Sequence, residues 1–265
     1  MPISPERSQQ IEAFLREVGR GLRDSRVTKI EEKAPLDLVS SLDFWAEREV
    51  TAFLVKWFPG DTLLSEESSN EVEYAERIWV LDPLDGTVNR ASHVPFFGIS
   101  LALLEQGRPV AGYVYDPTHD ELFVAHAGRG ATNNGVRLSA TTDNVLGLAL
   151  TSKLLRQLVR RSPEQLYELL AHQGRLRNFG AQALQLCYVA CGRLSGAVSL
   201  ETRLWDNAAG SLIVREAGGL YTDLSGDDPF PLTPGAPALR GGRTPCIAAN
   251  PGAHARLLPL LKALA

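Results

Sequence analysis

Apolar residues near the start of the chain recur with the spacing of amphipathic helices. Ser4 and Pro5 precede a first set whose members lie three or four positions apart, namely Ile11, Phe14, Leu15, Val18 and Leu22. A serine followed by proline is typical of a helix start. A second set comprises Val50, Phe53, Leu54 and Trp57. We therefore predict two helices, with Asp43 near the start of the second and Gly60 beyond its end.

Shorter apolar runs of strand length follow, and they are separated by Gly, Pro and Asp. They lie at Thr62–Leu64, Ile78–Leu81, Ile99–Leu104, Val110–Tyr115 and Leu122–Ala125. We predict that these runs form one sheet. The stretch Asn133-Asn134-Gly135 indicates a tight turn that closes a hairpin, because Asn and Gly tolerate a positive φ.

Beyond residue 150 the pattern favours helices alternating with strands. Helices are predicted at Pro163–Gln173, Ala181–Gly192, Asn207–Ala217 and after Pro251, and strands near Gly196–Leu200, Leu220–Thr222 and Cys246–Ala249. Residues 225–244 are so rich in Gly, Pro and Asp that we predict a loop. The sequence thus predicts an α/β (α+β) fold of layered sheets and helices. We expect two lobes, about 1–150 and about 151–265, that share one continuous core.

The composition narrows the class of protein. With 265 residues, 44% apolar residues, 22% charged residues and a formal charge of −4, the chain is an ordinary globular protein without a general basic surface. Nucleic acid is therefore not an expected partner, although Arg156, Arg160 and Arg161 form either a local basic patch or a solvated helix face. The longest apolar run, Phe96–Leu104, has about half the roughly 18 residues of a membrane span, so no membrane association is expected.

Cysteine usage indicates the compartment. Cys187, Cys191 and Cys246 are odd in number and contain no C-x-x-C pair, which fits a reducing cytoplasm and unpaired core thiols. A zinc site at Cys187 and Cys191 would need more ligands than the scattered histidines offer.

The most informative stretch joins an apolar strand to two aspartates, in the order Ile78-Trp79-Val80-Leu81-Asp82-Pro83-Leu84-Asp85-Gly86-Thr87. A turn after a strand can aim the carboxylates of Asp82 and Asp85 and the carbonyl of Leu84 at common points, and Mg²⁺ prefers such oxygen ligands. Gly86 and Thr87 would then begin a helix whose free N–H groups can bind a phosphate oxygen. Taken alone, the hexapeptide from Asp82 to Thr87 is equally compatible with a surface turn.

Further acidic motifs favour the metal site. They are Asp37-Leu38-Val39-Ser40-Ser41-Leu42-Asp43, Ser65-Glu66-Glu67-Ser68, Asp82-Pro83-Leu84-Asp85-Gly86-Thr87-Val88-Asn89 and Trp205-Asp206-Asn207-Ala208-Ala209-Gly210, with Gly218-Gly219 after the last predicted long helix. In this order, over nearly the full chain, they resemble the motifs of the inositol monophosphatase family. This family belongs to the lithium-sensitive, magnesium-dependent phosphatases with the sugar-phosphatase fold.

The resemblance implies a role for each matched residue. Glu66, Asp82 and the Leu84 carbonyl would bind one Mg²⁺, and Asp82, Asp85 and Asp206 a second, with two or three ions in each active site. Thr87, oriented by Asp43, would hold the attacking water, so the catalytic residues are Thr87, Asp43 and Glu66. Gly86 and Thr87 would bind the phosphate. A homodimer and a cytoplasmic location are further expectations from the family and from the cysteines.

The implied reaction is hydrolysis of a small phosphate monoester, with inositol 1-phosphate or a similar polyol phosphate as substrate. The family places substrate contacts at Gly180, Ala181, Ser199 and Glu201. Ser199 stands where inositol-selective animal enzymes carry a glutamate, and Ala181 replaces a small hydroxyl residue, so we expect a permissive enzyme. Asn89 in Gly86-Thr87-Val88-Asn89 favours the inositol type.

Alternatives remain open. They are the same chemistry on histidinol phosphate, fructose 1,6-bisphosphate or a nucleotide 3′-phosphate, and an interaction protein with a role in RNA-related machinery. The chain also departs from the family pattern. Ser65 replaces a usual Gly, the roles of Glu32 and Lys33 are open, and only Glu66 of the Glu66-Glu67 pair should face the metals.

Overall fold

The computed structural model describes residues 3–27, 29–34, 37–68, 70–140, 147–172 and 175–262. Its α-helices, numbered in chain order, are α1 (Pro5–Asp24), α2 (Ser41–Trp57), α3 (Thr87–Ala91), α4 (Ser152–Arg161), α5 (Pro163–His172), α6 (Gln182–Ala190), α7 (Leu204–Glu216) and α8 (Pro251–Leu261). A 3₁₀-helix spans Pro237–Arg240. Within these ranges no helix is both long enough and apolar enough to cross a membrane.

The strands form a hairpin and two larger sheets. The hairpin consists of β1 (Ile30–Ala34) and β2 (Asp37–Ser40). Sheet I consists of β3 (Thr62–Ser65), β4 (Arg77–Asp85), β5 (Gly98–Glu105), β6 (Arg108–Asp116), β7 (Glu121–His126), β8 (Gly130–Asn133) and β9 (Val136–Arg137). Sheet II consists of β10 (Leu148–Leu150), β11 (Leu176–Arg177), β12 (Gly196–Ser199), β13 (Leu220–Thr222) and β14 (Cys246–Ala249).

Sheet I confirms the prediction that the apolar runs between residues 62 and 125 form one sheet. Its strands follow chain order, and β3 pairs with β4 in parallel while the remaining neighbours pair antiparallel. The predicted turn at Asn133-Asn134-Gly135 joins β8 to β9, and both Asn134 and Gly135 have a positive φ. The turn sequence therefore correctly predicts where the last hairpin of sheet I closes.

Sheet II has the order β11-β10-β12-β14-β13. The predicted strands near 196–200, 220–222 and 246–249 are all present, whereas the prediction left out β10, β11 and α4. Strand β10 has three residues, too few for a clear pattern. Helix α4 has only Leu154 and Leu158 buried, and basic residues occupy four of its other eight positions. The predicted loop at 225–244 contains the 3₁₀-helix as its only assigned helix or strand.

The elements stack in alternating layers, which confirms the mixed α/β architecture. Helices α1 and α2 pack on one face of sheet I, with Ile11, Leu15, Ala46 and Val50 against Trp79, Leu101 and Tyr113. Helices α6 and α7 pack on the other face, and their cluster also includes Ala197 and Ala248 of sheet II. Helices α4 and α8 cover the outer face of sheet II. Residues from both predicted lobes contribute to the middle layer.

Helix α7 lies unusually close to sheet I. A Cβ atom added at Gly112 on β6 would lie 2.8 Å from the carbonyl oxygen of Ala209, which is backbone and cannot rotate away. On the neighbouring face of the helix, a Cβ atom at Gly210 would lie 2.5 Å from a Leu186 side-chain atom on α6. Two glycines therefore set the distance between α7 and its neighbours.

We predict that Gly112→Ala lowers the free energy of unfolding by about 1–3 kcal/mol, because the new methyl group overpacks the contact with α7. The midpoint of urea unfolding measures this change. Gly252→Ala on α8 is the matched control, since its Cβ atom would meet its nearest neighbour at 3.6 Å, an ordinary contact. Equal stability of the Gly112→Ala variant and the wild-type protein would contradict the close approach.

Candidate active site

The parallel pairing of β3 with β4 brings the first two acidic residues together. Ser65 pairs with Leu81 in this register, so Glu66 and Asp82, the next residue in each case, lie side by side. The Glu66 N–H donates to the Leu81 carbonyl at 3.2 Å, one residue beyond the end of β3. Glu66 and Asp82, each of which directly follows a paired apolar strand residue, are therefore neighbours in the site.

Helix α7 supplies a third carboxylate from 124 residues further along the chain than Asp82. The start of α7 is tied to β5, because the Ser100 hydroxyl donates to the Trp205 carbonyl at 3.0 Å. One oxygen of Asp206 accepts the Arg203 N–H at 2.6 Å and caps the helix. One carboxylate oxygen each from Glu66, Asp82 and Asp206 lies within 4.8 Å of the others. Helix capping and membership of this acidic group therefore coexist at Asp206.

Burial and mutual repulsion make this group costly to ionise. Burial raises the pKa of Asp82 well above its usual value, and the nearby charges of Glu66, Asp85 and Asp206 raise it further. Burial also raises the pKa of Asp206, with Glu66 as the next cause. A divalent cation would offset this repulsion, and carboxylate oxygens are the ligands that Mg²⁺ prefers. The residues present therefore fit a magnesium site.

Asp85 stands apart from this group of three. Its two oxygens accept the N–H groups of Gln182 at 3.0 Å and Ala183 at 2.6 Å, in the first turn of α6. Burial raises the pKa of Asp85 to about 7, although these backbone hydrogen bonds act in the opposite direction. Asp85 is thus an anchor for α6, and its predicted role as a metal ligand would have to use its remaining lone pairs.

Thr87 and Asp43, which the family resemblance pairs, are in contact. The Thr87 hydroxyl lies 2.7 Å from Oδ1 of Asp43 and 3.1 Å from the Leu84 carbonyl oxygen. Oδ2 of Asp43 accepts the N–H and the hydroxyl of Ser40 at 2.8 and 2.6 Å, which forms the capping box of α2. Burial raises the pKa of Asp43, whereas these hydrogen bonds lower it. Since a threonine hydroxyl has one proton, donation to Asp43 leaves its lone pairs free to accept from water.

Gly86 has to be glycine at this position. Its φ of 96° is left-handed, and it precedes α3 as the N-cap residue. An added Cβ atom would lie 3.0 Å from the Phe96 carbonyl oxygen and 3.1 Å from the Ala181 methyl group. The predicted helix start at Gly86 and Thr87 is therefore observed, and the backbone there is closely surrounded.

Asn89 has a structural role, although its presence was used to favour the inositol type. Its side-chain amide donates to the carbonyls of Phe96 and Phe179 at 2.7 and 2.6 Å. Gly180, with a φ of 76°, packs directly on this amide, and a Cβ atom there would lie 3.3 Å from it. Asn89 thus joins α3 to the segment that begins α6, and its amide is already committed to backbone.

Two of the four residues predicted to contact the substrate, Ser199 and Ala181, are buried. Ser199 is fully buried, and its hydroxyl accepts the N–H groups of Glu201 and Thr202, both at 3.3 Å. Ala181 is also buried, next to Gly86. The Ser199 hydroxyl therefore holds the turn that leads to α7, and a ligand contact at Ser199 stays a prediction. Glu201 is half-buried in that turn.

Four residues remain for which the sequence analysis gave no role or a departure from the family pattern. Glu32 and Lys33 lie on β1, and the Lys33 side chain falls outside the described part of the structure. Glu67 lies outside the acidic group that includes Glu66, as predicted from their adjacent positions. The Ser65 hydroxyl is buried, and among the described residues it has no hydrogen-bond partner.

Supporting residues around the site were not predicted from the sequence. Glu47 on α2 is buried and accepts the N–H and hydroxyl of Ser68 at 3.1 and 3.0 Å. The Gln182 amide on α6 donates to the Asn207 side chain at 3.2 Å, next to Asp206. The i, i+4 spacing of Asp43 and Glu47 on a predicted helix was the available signal for the first contact.

The chain matches the model of the inositol monophosphatase family over residues 7–264. The chain belongs to this family. The Nus factor SuhB of Pasteurella multocida is 39% identical over 77% of this chain and 78% of its own length. The inositol-1-monophosphatase of Bacillus subtilis is 31% identical over 91% of each chain.

Among solved structures, an IMPase/NADP phosphatase complexed with Mg²⁺ and phosphate superimposes with a TM-score of 0.82. It is 26% identical, and the match covers 97% of this chain and 95% of that one. Family membership and this likeness support phosphatase activity for the chain. They also fit a magnesium requirement, in agreement with the acidic group.

We predict opposite stability effects for two substitutions in the metal-free protein. The raised pKa values of Asp82 and Asp206 mean that the folded state binds more protons than the unfolded state above about pH 4. Metal-free stability should therefore fall as the pH rises from about 4 to 7. Asp82→Asn should flatten this decline and stabilise the apo protein at pH 7 by on the order of 1 kcal/mol. Urea unfolding in chelator across this pH range measures it.

Asp85→Asn is the matched comparison. An amide offers one acceptor oxygen, whereas Asp85 accepts two N–H groups of α6, so this variant should gain little or lose stability. If both variants were equally stabilised, the separate role of Asp85 would be wrong.

Proposed function

We propose that the chain is a Mg²⁺-dependent phosphatase that hydrolyses inositol 1-phosphate or a similar polyol phosphate. The observation that carries this proposal is the group of Glu66, Asp82 and Asp206, with oxygens within 4.8 Å of one another. The Thr87 hydroxyl, two residues beyond Asp85, also donates to the buried carboxylate of Asp43. A surface turn requires neither feature.

The ligands divide as the family resemblance implies. Glu66, Asp82 and the Leu84 carbonyl would hold one ion, and Asp82, Asp85 and Asp206 would hold a second, within the two or three ions that the resemblance implies. Bound there, the cations would lower the pKa of a water and stabilise charge on the leaving oxygen. The solved relative complexed with Mg²⁺ and phosphate supports a magnesium requirement for this chain.

The protein's own groups then orient the reactants. Thr87, with its proton donated to Asp43, accepts a hydrogen bond from the attacking water and fixes its direction. Asp43 is itself fixed by Ser40, so the pair has little freedom to rotate. The N–H groups of Gly86 and Thr87 would bind the phosphate. A nucleophilic side chain is not required for this in-line displacement.

The substrate preference follows from the residues that are predicted to border the polyol ring. A buried Ser199 and an apolar Ala181 offer no hydroxyl for a polyol ring, and Glu201 is displaced along the chain from Ser199. Inositol 1-phosphate should therefore be one of several accepted monoesters. Histidinol phosphate, fructose 1,6-bisphosphate and nucleotide 3′-phosphates are the alternatives that the same metal chemistry would serve.

Assembly and location complete the proposal. We expect a homodimer, as the family resemblance implies, and a cytoplasmic enzyme. Cys187, Cys191 and Cys246 are all unpaired, and Cys187 and Cys246 are fully buried, which supports a reducing compartment.

We predict that hydrolysis requires Mg²⁺, that Li⁺ and Ca²⁺ inhibit it, and that Thr87→Val lowers kcat about a hundredfold or more. Valine keeps the shape of Thr87 but removes the hydroxyl that orients water. Steady-state phosphate release at saturating Mg²⁺ measures the effect. Thr87→Ser, which keeps the hydroxyl, is the matched control and should retain most of the activity. Full activity in excess chelator, or wild-type kcat in Thr87→Val, would refute the proposal.

We also predict that kcat/KM for inositol 1-phosphate exceeds that for glycerol 2-phosphate by no more than about two orders of magnitude. Each missing polyol hydrogen bond costs about 0.5–1.5 kcal/mol, so two of them remove roughly a five- to hundredfold preference. Parallel initial-rate measurements on both substrates test this. A preference above about a thousandfold would mean that other residues provide the selectivity.

A further inference from the structure

Helix α2 carries a second buried acidic residue that the mechanism above does not use. Glu47 lies one turn after Asp43, and its side chain is buried with 4% relative exposure. Two acidic residues at i, i+4 are an unfavourable pair on a helix. Each is bonded to a different part of the site, since Asp43 accepts from Thr87 and Glu47 accepts from Ser68.

The Glu47 contacts hold a short irregular segment. Its Oε1 atom accepts the Ser68 N–H at 3.1 Å and the Ser68 hydroxyl at 3.0 Å. One of these donors is backbone, so the contact fixes the path of the chain as well as a side chain. Ser68 itself is exposed, and residues 66–68 belong to neither a helix nor a strand.

This segment carries Glu66 between two anchors. On one side, the Glu66 N–H donates to the Leu81 carbonyl at the end of the parallel ladder. On the other side, two residues later, Ser68 is held by Glu47. The direction in which the Glu66 carboxylate enters the acidic group therefore depends on both contacts.

We propose that Glu47 is a positioning residue that orients Glu66 for metal binding through Ser68. The proposal rests on the proposed function, because it requires that Glu66 binds a cation. Helix α2 then serves both halves of the site, with Asp43 holding the hydroxyl that orients water and Glu47 holding the segment that presents a ligand. Loss of a group that orients a ligand typically weakens metal binding or activity about ten- to a hundredfold.

The test is Mg²⁺ titration calorimetry on the purified full-length protein. Glu47→Ala should raise the Kd of the tightest Mg²⁺ site about ten- to a hundredfold. Glu47→Gln keeps an acceptor oxygen for Ser68 and should stay closer to the wild-type Kd. In activity assays, Glu47→Ala should raise the Mg²⁺ concentration for half-maximal rate while kcat at saturating Mg²⁺ changes less.

Two controls separate positioning from a general loss of stability. Leu54→Ala removes a buried core side chain from the same helix and should lower the unfolding midpoint without changing the Mg²⁺ Kd. Ser68→Ala removes only the exposed hydroxyl, so it should fold, weaken Mg²⁺ binding less than Glu47→Ala, and add little in the double variant.

The possible results separate a failure of the positioning role of Glu47 from a failure of the proposed function. A folded Glu47→Ala protein with the wild-type Kd would overturn the proposal, as would an equal loss of binding in Leu54→Ala. If Glu47→Ala does not fold, an unchanged Kd in Ser68→Ala overturns it instead. A wild-type protein that binds no Mg²⁺ would refute the proposed function and this inference together, which distinguishes that failure from the others.

Discussion

The pairing of Ser65 with Leu81 in the parallel β3–β4 ladder is the constraint on which the site depends. It sets Glu66 beside Asp82, although the two carboxylates repel each other and Asp82 is buried with 2% relative exposure. A one-residue shift in this register would turn the strand's side chains to the opposite face and separate the two groups. The apolar layers on both faces of sheet I fix the register, so core packing determines the geometry of the acidic group.

The elements around this ladder are arranged to hold charge in place. Helix α7 approaches sheet I closely enough that Gly112 has no room for a side chain, and this closeness brings Asp206 to Asp82. Asp85 anchors the first turn of α6, and the Gln182–Asn207 hydrogen bond joins that turn to the start of α7. A site assembled in this way is costly without cations and favourable with them, which links metal binding to the stability of the fold.

Much of this arrangement could be predicted from the sequence, and what was missed has a physical reason. The apolar run before the Asp82–Thr87 stretch follows from local patterns, and the Thr87–Asp43 pair follows from the family motifs. The anchoring of α6 by Asp85 and the burial of Ser199 depend on contacts between distant segments, which spacing along one chain does not encode. Glu47 was overlooked because an acidic residue on an amphipathic helix ordinarily faces solvent.

The central claim is that Glu66, Asp82 and Asp206 form a divalent-cation site. Crystals grown with Mn²⁺, a cation that prefers the same oxygen ligands and scatters anomalously, test it most directly. An anomalous difference map should contain a peak bonded to oxygens of both Glu66 and Asp82, with a second peak beside Asp206. A map from these crystals that has no anomalous peak between the carboxylates, or that has Mn²⁺ peaks only elsewhere, would contradict the cation site.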